Sequence, residues 1–72
     1  MLITNKGRFI MNKKNFRVTA EVFYSFDSSY GMIDLTVKAV DKEDAEMLAV
    51  ERIKMQYGYD VTDITYVEEV LL

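Results

Sequence analysis

Apolar and polar residues alternate one by one over eleven positions in the first third of the chain. A strict period of two is typical of a strand with one buried face, so residues 16–26 are predicted to form a strand. The opposite face is mostly polar, although Phe23 interrupts it. The predicted inward residues are Phe16, Val18, Ala20, Val22, Tyr24 and Phe26.

Residues 27–31 contain turn-forming side chains and a glycine, which predicts a hairpin loop. A second alternating stretch follows, with Asp34 and Lys38 on its polar face. Each strand therefore has one apolar face and one mostly polar face, which is typical of an antiparallel sheet covered on one side only. The inward residues of the second strand are Ile33, Leu35, Val37 and Ala39.

The apolar period changes to 3.6 after position 40, which predicts a helix. Asp41 is a favourable residue for the N-cap, and Gly58 is favourable for ending the helix. Glu51 and Lys54 fall on the solvent side. The apolar stripe consists of Ala45, Leu48, Ala49, Ile53 and either Gln56 or Tyr57, of which Tyr57 is predicted to enter the core.

Residues 61–70 are predicted to form a last strand with Ile64 and Tyr66 inward. A right-handed crossover through the helix would place this strand beside the first one, antiparallel to it. The predicted fold is α+β, a single β-β-α-β domain over residues 15–72. Its three-stranded antiparallel sheet has the order 2-1-3 with one helix on one face. Both outer strands would leave exposed edges that can pair with another chain.

The charges are distributed unevenly along the chain, whose net charge is −3. Residues 1–17 contain five basic and no acidic side chains, whereas residues 18–72 contain four basic and twelve acidic ones. We interpret residues 1–14 as a basic, flexible N-terminal arm. Met11 and the residues after it look like a bacterial translation start. Residues 1–10 are then an upstream extension, either frayed or forming a short strand over 8–11.

The absence of cysteine and histidine excludes thiol nucleophiles, imidazole acid–base catalysis and metal sites built from these residues. The sequence also contains no phosphate-binding loop, dinucleotide-binding glycine motif or nucleophile elbow. We therefore expect no enzymatic activity, no metal and no cofactor. The chain has neither a membrane-spanning run nor the apolar core of a signal peptide, so a cytoplasmic location is expected.

Several surface residues are candidates for protein contacts. Tyr30 and Tyr59 are predicted to lie in loops, where tyrosine is a good interface anchor. The densest acidic cluster can bind a basic partner, or it can complement the dipole at the helix start. This cluster consists of Asp41, Glu43, Asp44 and Glu46. Apolar residues on the nominally polar sheet face indicate either ordinary scatter or a homodimer interface. They are Phe23, Met32 and Val40.

Residues 37–46, Val-Lys-Ala-Val-Asp-Lys-Glu-Asp-Ala-Glu, end a strand and begin a helix. This segment resembles the strand-to-helix junction of many small accessory proteins from bacteriophages and mobile elements, including anti-CRISPR and other anti-defence proteins. The resemblance implies a small acidic binder, often dimeric, that blocks a host defence complex by occupying a surface. It transfers no functional residue to this chain.

Three functions are therefore compatible with the sequence. The first is a non-enzymatic protein-binding module, in its most concrete form a phage-encoded inhibitor that contacts a basic nucleic-acid-binding protein and is itself a homodimer. The second is a dimer that binds or sequesters a nucleotide or metabolite at its seam. The third is nucleic-acid binding through the basic arm, which ranks last because the acidic body repels phosphate. No membrane partner is expected.

Overall fold

The computed structural model describes residues 12–71, which form three strands and one helix. Strand β1 spans Lys14–Tyr24, strand β2 spans Ser29–Ala39, helix α1 spans Lys42–Tyr57 and strand β3 spans Asp60–Val70. The sheet has the order β2-β1-β3, and β1 is antiparallel to both neighbours. The α+β class, the strand order and the single helix are as predicted. Residues 1–11 of the predicted arm, with the alternatives for residues 1–10, lie outside the described residues.

One face of the sheet packs against α1, and this contact forms the core. The alternating residues of β1 that were predicted to be inward are buried from Phe16 to Val22. Ala45 and Ala49 of the helix are fully buried, and their small side chains allow the helix to lie close to the sheet. The buried apolar residues of the described part are Phe16, Val18, Ala20, Val22, Val37, Ala39, Ala45, Ala49 and Ile53.

The hairpin turn is shorter and earlier than the predicted loop. It occupies residues 25–28, and β2 already begins at Ser29. The Asp27 carboxylate accepts hydrogen bonds from the backbone N–H and the hydroxyl of Ser29, at 3.2 and 2.6 Å, which closes the turn locally. Phe26 was predicted to point inward, and this is wrong. It lies in the turn and is 77% exposed because the strand ends before it.

Both predicted helix caps are present. The Asp41 carboxylate accepts a hydrogen bond from the backbone N–H of Asp44 at 2.8 Å. Gly58 has a left-handed backbone, φ 73°, and donates its N–H to Lys54 O at 2.9 Å. Tyr57 was predicted to enter the core, but it is 54% exposed. It stacks on Tyr59, with ring centroids 5.8 Å apart, at the end of the helix.

Two bulges distort β3 and change its pattern of buried residues. Thr19 of β1 pairs with Tyr66, and the next residue of β1 pairs with Ile64, so Thr65 has no opposite residue. Thr62, three residues before Thr65 in β3, is skipped in the same way between Glu21 and Val22 of β1. The hydroxyls of Thr62 and Thr65 donate to carbonyl oxygens of β1 at 3.2 Å, which satisfies backbone groups at the irregular positions.

The bulges explain why the prediction for Tyr66 is wrong. Ile64 points to the helix as predicted, and without a bulge a period of two would bring Tyr66 to the same side. The extra residue Thr65 reverses the alternation, so Tyr66 lies opposite Thr19 on the other face and is 50% exposed. Val67 takes the inward position instead.

Gly31 in β2 allows an aromatic ring to cover the sheet near the hairpin. The ring of Tyr24 lies directly over Gly31, and a Cβ at this position would overlap the ring. Tyr24 in turn contacts Tyr59 edge-on, with ring centroids 4.7 Å apart. An aromatic ring over a glycine of an edge strand compensates for the missing side chain. This end of the core therefore depends on the absence of a side chain at position 31.

Replacement of Gly31 by alanine is expected to lower the free energy of unfolding by about 1–3 kcal/mol, because the Tyr24 ring must leave its packed position. Urea denaturation of the two proteins measures the difference. In a Tyr24→Leu background the shorter side chain leaves space, and the cost of Gly31→Ala should be much smaller. Equal costs in both backgrounds would show that the ring is not the cause.

Candidate functional site

The face of the sheet opposite α1 is covered by no element of residues 12–71, and we call it the open face. Cross-strand pairing arranges its side chains in rows of three, one from each strand. One row contains Asp34, Thr19 and Tyr66, and the next contains Thr36, Arg17 and Glu68. From the helix-start end to the hairpin end, the open-face residues are Lys38, Asn15, Val70, Thr36, Arg17, Glu68, Asp34, Thr19, Tyr66, Met32, Glu21, Asp63, Tyr30, Phe23 and Asp60.

A hydrogen-bonded cluster lies at the centre of the open face. Arg17 Nη2 donates to Asp34 Oδ2 at 2.8 Å, and the hydroxyl of Thr19 donates to Asp34 Oδ1. The bond from Arg17, followed by the bond from Thr19, lowers the pKa of Asp34 below its ordinary value. The same contact raises the pKa of Arg17. The cluster fixes a carboxylate in a defined orientation on an exposed surface.

Tyr66 and Glu68 extend this cluster onto β3. Hydrogen bonding to the Glu68 carboxylate, with its negative charge close by, raises the pKa of Tyr66 above its ordinary value. The phenol therefore keeps its proton as a hydrogen-bond donor, and half of the side chain is exposed. Arg17 also lies close enough to Glu68 to interact with it electrostatically.

Apolar side chains are grouped at the hairpin end of the open face. The rings of Phe23 and Tyr30 contact each other with centroids 5.2 Å apart. Tyr30 is 62% exposed, and Met32 in the adjacent row is 54% exposed. These three residues and the more distant Tyr66 give the open face large apolar groups that no other part of residues 12–71 covers. Exposed aromatic and methionine side chains in one surface region are typical of protein interfaces.

Carboxylates surround the apolar groups of the open face. Five acidic and two basic residues belong to this face by register, and Lys54 of α1 reaches Asp60 at its edge, which leaves a net charge of −2. Two of the carboxylates have basic partners, because Asp34 binds Arg17 and Asp60 binds Lys54 Nζ at 2.8 Å. The acidic residues are Glu21, Asp34, Asp60, Asp63 and Glu68, and the basic residues are Arg17 and Lys38. The face is therefore electrostatically suited to a basic surface.

The acidic cluster predicted from the sequence is divided between two roles. Asp41 caps the helix, and the Asp44 carboxylate accepts the backbone N–H of Val40 at 3.1 Å. Both side chains thus stabilise the start of α1, as the dipole interpretation predicts. Glu43 and Glu46 are exposed and have no such bond among the described residues. Their predicted contact with a protein partner stays a prediction.

The two predicted contact tyrosines lie in different environments. Tyr30 belongs to β2 rather than to a loop, and it is exposed on the open face. Tyr59 follows the helix and is half-buried, in contact with Tyr24 and packed against the buried cluster that contains Ile53. Tyr30 and the cluster at the helix start lie at opposite ends of β2, about 33 Å apart at the usual rise per residue. One compact contact area cannot contain both.

Two of the three residues predicted for a dimer interface are neighbours. Phe23 lies opposite Tyr30, and Met32 occupies the adjacent row of the same face. Val40 directly follows β2, eight residues beyond Met32, and is partly buried. The structure therefore groups Phe23 and Met32 within one subunit and separates Val40 from them.

Sequence reasoning did not find the cluster of Arg17, Thr19 and Asp34. Their positions on the polar faces of two predicted neighbouring strands were visible. The missing information was the hairpin register, which places Thr19 directly opposite Asp34. With the turn at residues 25–28, the pairing of these polar groups would follow from the sequence.

Other surface features are less defined. Two shallow grooves of about 310 and 320 Å³ flank the helix and open to solvent. One of them is lined by Met47, Val50 and Ile64 between two glutamates. Within residues 12–71, no three acidic side chains are placed to hold a metal ion. No helix in this part of the chain is long and apolar enough to cross a membrane.

The bond between Arg17 and Asp34 predicts a dependence of stability on pH. The pKa of Asp34 is lowered in the folded chain, so the carboxylate stabilises the fold above its ordinary pKa of about 4. This contribution is lost as the pH falls through the lowered value. The difference in unfolding free energy between the wild type and Asp34→Asn should be constant from about pH 8 to pH 5 and shrink below about pH 4. Urea denaturation across this range measures it.

The control for this prediction is the same substitution in an Arg17→Gln background. Without the guanidinium, the pKa of Asp34 should be closer to its ordinary value, and the acid-dependent part of the difference should decrease. A pH dependence of unchanged size in that background would assign the effect to another group.

Comparison of the chain with protein-family models, with curated proteins and with solved structures gives no match. No relative therefore contributes a functional residue or an activity to the open face. The features that distinguish this surface are its exposed aromatic side chains, its ordered carboxylate and its negative charge.

Proposed function

We propose that this chain is a non-enzymatic protein-binding module that recognises a basic protein surface through the open face of its sheet. In its most specific form it is an inhibitor of the anti-defence kind found in bacteriophages. Such an inhibitor occupies the nucleic-acid-binding surface of a host complex. The observation that carries the proposal is the combination of exposed Tyr30, Met32 and Tyr66 with a net negative charge on one uncovered sheet face.

The apolar groups supply affinity in this proposal. Tyrosine and methionine bury a large area when they bind, and tyrosine loses little conformational entropy. Phe23 and Tyr30 already contact each other, so part of the ordering cost is met before binding. A surface of three neighbouring strands can contact a protein surface over several rows of side chains.

The carboxylates supply selectivity for a basic partner. Asp34 is held in place by Arg17 and Thr19, so it presents a fixed negative group at the centre of the face. Glu21 and Asp63 lie side by side in the row that contains Met32. Surfaces that bind nucleic acid are rich in lysine and arginine, and an acidic face can compete with phosphate for them.

The alternative of a small-ligand protein has less support. The two grooves beside α1 are open to solvent, whereas small-molecule sites usually bury most of the ligand. Nucleic-acid binding by residues 12–71 is disfavoured by the charge of the open face. Protein binding therefore accounts best for the exposed aromatic side chains.

The proposal is tested with two variants of matched size. The open-face variant carries Tyr30→Ser and Tyr66→Ser, and the helix variant carries Met47→Ser and Met55→Ser at exposed positions of α1. A protein captured from bacterial lysate at low salt is purified, and its dissociation constant is measured for each chain. We expect the open-face variant to bind at least about tenfold more weakly, because interface tyrosines are frequent hot spots. The helix variant should bind like the wild type.

Competition with double-stranded DNA tests the chemistry of the partner. The DNA should displace the chain from its partner, and the affinity should fall as salt is added. Equal affinities of the wild type and the open-face variant would contradict the assignment of this face. A partner that DNA does not displace would contradict the inhibitor form of the proposal, and the absence of any protein partner would contradict the module itself.

A further inference from the structure

The two outer strands of the sheet present different edges. Strand β3 contains two bulges, at Thr62 and Thr65, which interrupt its backbone pattern. Strand β2 pairs with β1 over eleven consecutive residues without a register shift. Bulges protect an edge against further pairing, whereas a regular edge is a template for another strand. The outer edge of β2 has no strand partner among residues 12–71.

The side-chain bonds show which backbone groups of β2 point outward. The hydroxyls of Thr62 and Thr65 donate to the backbone carbonyls of Glu21 and Thr19. The backbone C=O and N–H groups of the odd-numbered residues of β1 therefore point towards β3. The backbone groups of the even-numbered residues of β1 consequently point towards β2 and form hydrogen bonds with the backbone of its odd-numbered residues. The backbone N–H and C=O groups that remain for the outer edge belong to Tyr30, Met32, Asp34, Thr36 and Lys38.

A contact on the other side of β2 agrees with this assignment. Arg52 Nη1 donates to the carbonyl of Thr36 at 3.4 Å from the helix side of the edge. The Thr36 carbonyl therefore does not face β1. A carbonyl has two lone pairs, so this oxygen can accept a backbone N–H in addition to Arg52.

We propose that two copies of this chain dimerise by antiparallel pairing of their β2 edges, with the two-fold axis at Thr36. Antiparallel pairing of identical edges puts the axis perpendicular to the sheet, and opposite residues must then lie on the same face. The axis must therefore pass at a residue of β2 and not between two neighbouring residues. The five choices at or between the two charged residues of β2 are Asp34, Leu35, Thr36, Val37 and Lys38.

The charges of β2 favour one of these five positions. An axis at Asp34 or Lys38 puts two like charges directly opposite each other, which is destabilising. An axis at Leu35 or Val37 puts neither charged residue opposite a charge. An axis at Thr36 puts Asp34 opposite the partner's Lys38, and the symmetry forms this pair twice. The open face thus contains a self-complementary charge pattern along the outer edge of β2.

The remaining pairs in this register are also compatible. Ile33 lies opposite the partner's Ala39, and Leu35 lies opposite the partner's Val37, both on the helix side. The next pair, Met32 and the partner's Val40, lies beyond the end of β2, and the Val40 N–H already binds the Asp44 carboxylate, so only a side-chain contact is available there. This contact would join two residues that the single subunit keeps apart. Thr36 lies opposite the partner's Thr36 as a backbone hydrogen-bonded pair, since both residues point outward.

The two charges allow a test by exchange between subunits. In a homodimer of the Lys38→Glu variant, the new carboxylate would lie opposite the partner's Asp34 and repel it. In a homodimer of the Asp34→Lys variant, the new lysine would repel the partner's Lys38. Each variant is expected to raise the dimer dissociation constant about tenfold or more, because two attractive pairs become repulsive. An equimolar mixture restores both opposite-charge pairs in a heterodimer. Analytical ultracentrifugation of the wild type, each variant and the mixture measures the effect.

The mixture distinguishes pairing from misfolding, because two unfolded variants cannot restore each other. Lys54→Glu on the helix changes the net charge as Lys38→Glu does and should leave the dimer unchanged. A monomeric wild type would overturn the proposal. So would single variants that dimerise like the wild type, or a mixture that recovers no dimer.

A cysteine at the axis tests the register itself. The chain contains no cysteine, so Thr36→Cys introduces the only thiol. Opposite residues of a hydrogen-bonded pair have Cα atoms about 5.5 Å apart, which lies within the range of disulfides. Thr36→Cys should form a covalent dimer under mild oxidation, and Tyr30→Cys should not, since its two copies would be about 40 Å apart. The reverse result would overturn the register. These experiments need no binding partner, so their outcome is independent of the proposed function.

Discussion

The backbone pairing of β1 with both neighbours is the constraint on which the rest of the molecule depends. Among residues 12–71, every backbone hydrogen bond between strands of the sheet involves β1, since β2 and β3 are not neighbours. Its even-numbered side chains from Phe16 to Val22 are buried and form the sheet side of the core. Its odd-numbered side chains form the middle column of the open face. Core and candidate site are therefore two sides of one strand, and a slip by one residue would exchange them.

The features that follow from neighbouring residues could be predicted from the sequence. The alternation of β1 and β2, the capping by Asp41 and the end of the helix at Gly58 depend on local chemistry. The features set by distant contacts could not. The Thr65 bulge is stabilised by a carbonyl 46 residues earlier in the chain, and it decides on which face Tyr66 lies. Tyr59 packs on Tyr24 while Tyr57 stacks on the outside of Tyr59, and sequence spacing does not show which of the two rings is the inner one.

The same limit applies to the candidate site. Arg17, Thr19 and Asp34 are ordinary polar-face residues in the sequence, and only the tight turn brings them together. The acidic cluster at the helix start was more conspicuous, but two of its carboxylates bind backbone N–H groups. A concentration of charge in the sequence indicated a helix cap there, while the charge on the open face is assembled from all three strands.

The unequal edges of the sheet also determine what an assembly of these chains would look like. Pairing through β2 uses the regular edge of each copy, so both outer edges of the joined sheet would be β3. These edges contain the bulges at Thr62 and Thr65, which do not match a further straight strand. Growth would stop at two copies. A sheet with two regular edges could add subunits without limit and form fibres. Because one edge strand of this sheet is irregular, the same edge-to-edge backbone pairing would end at a dimer.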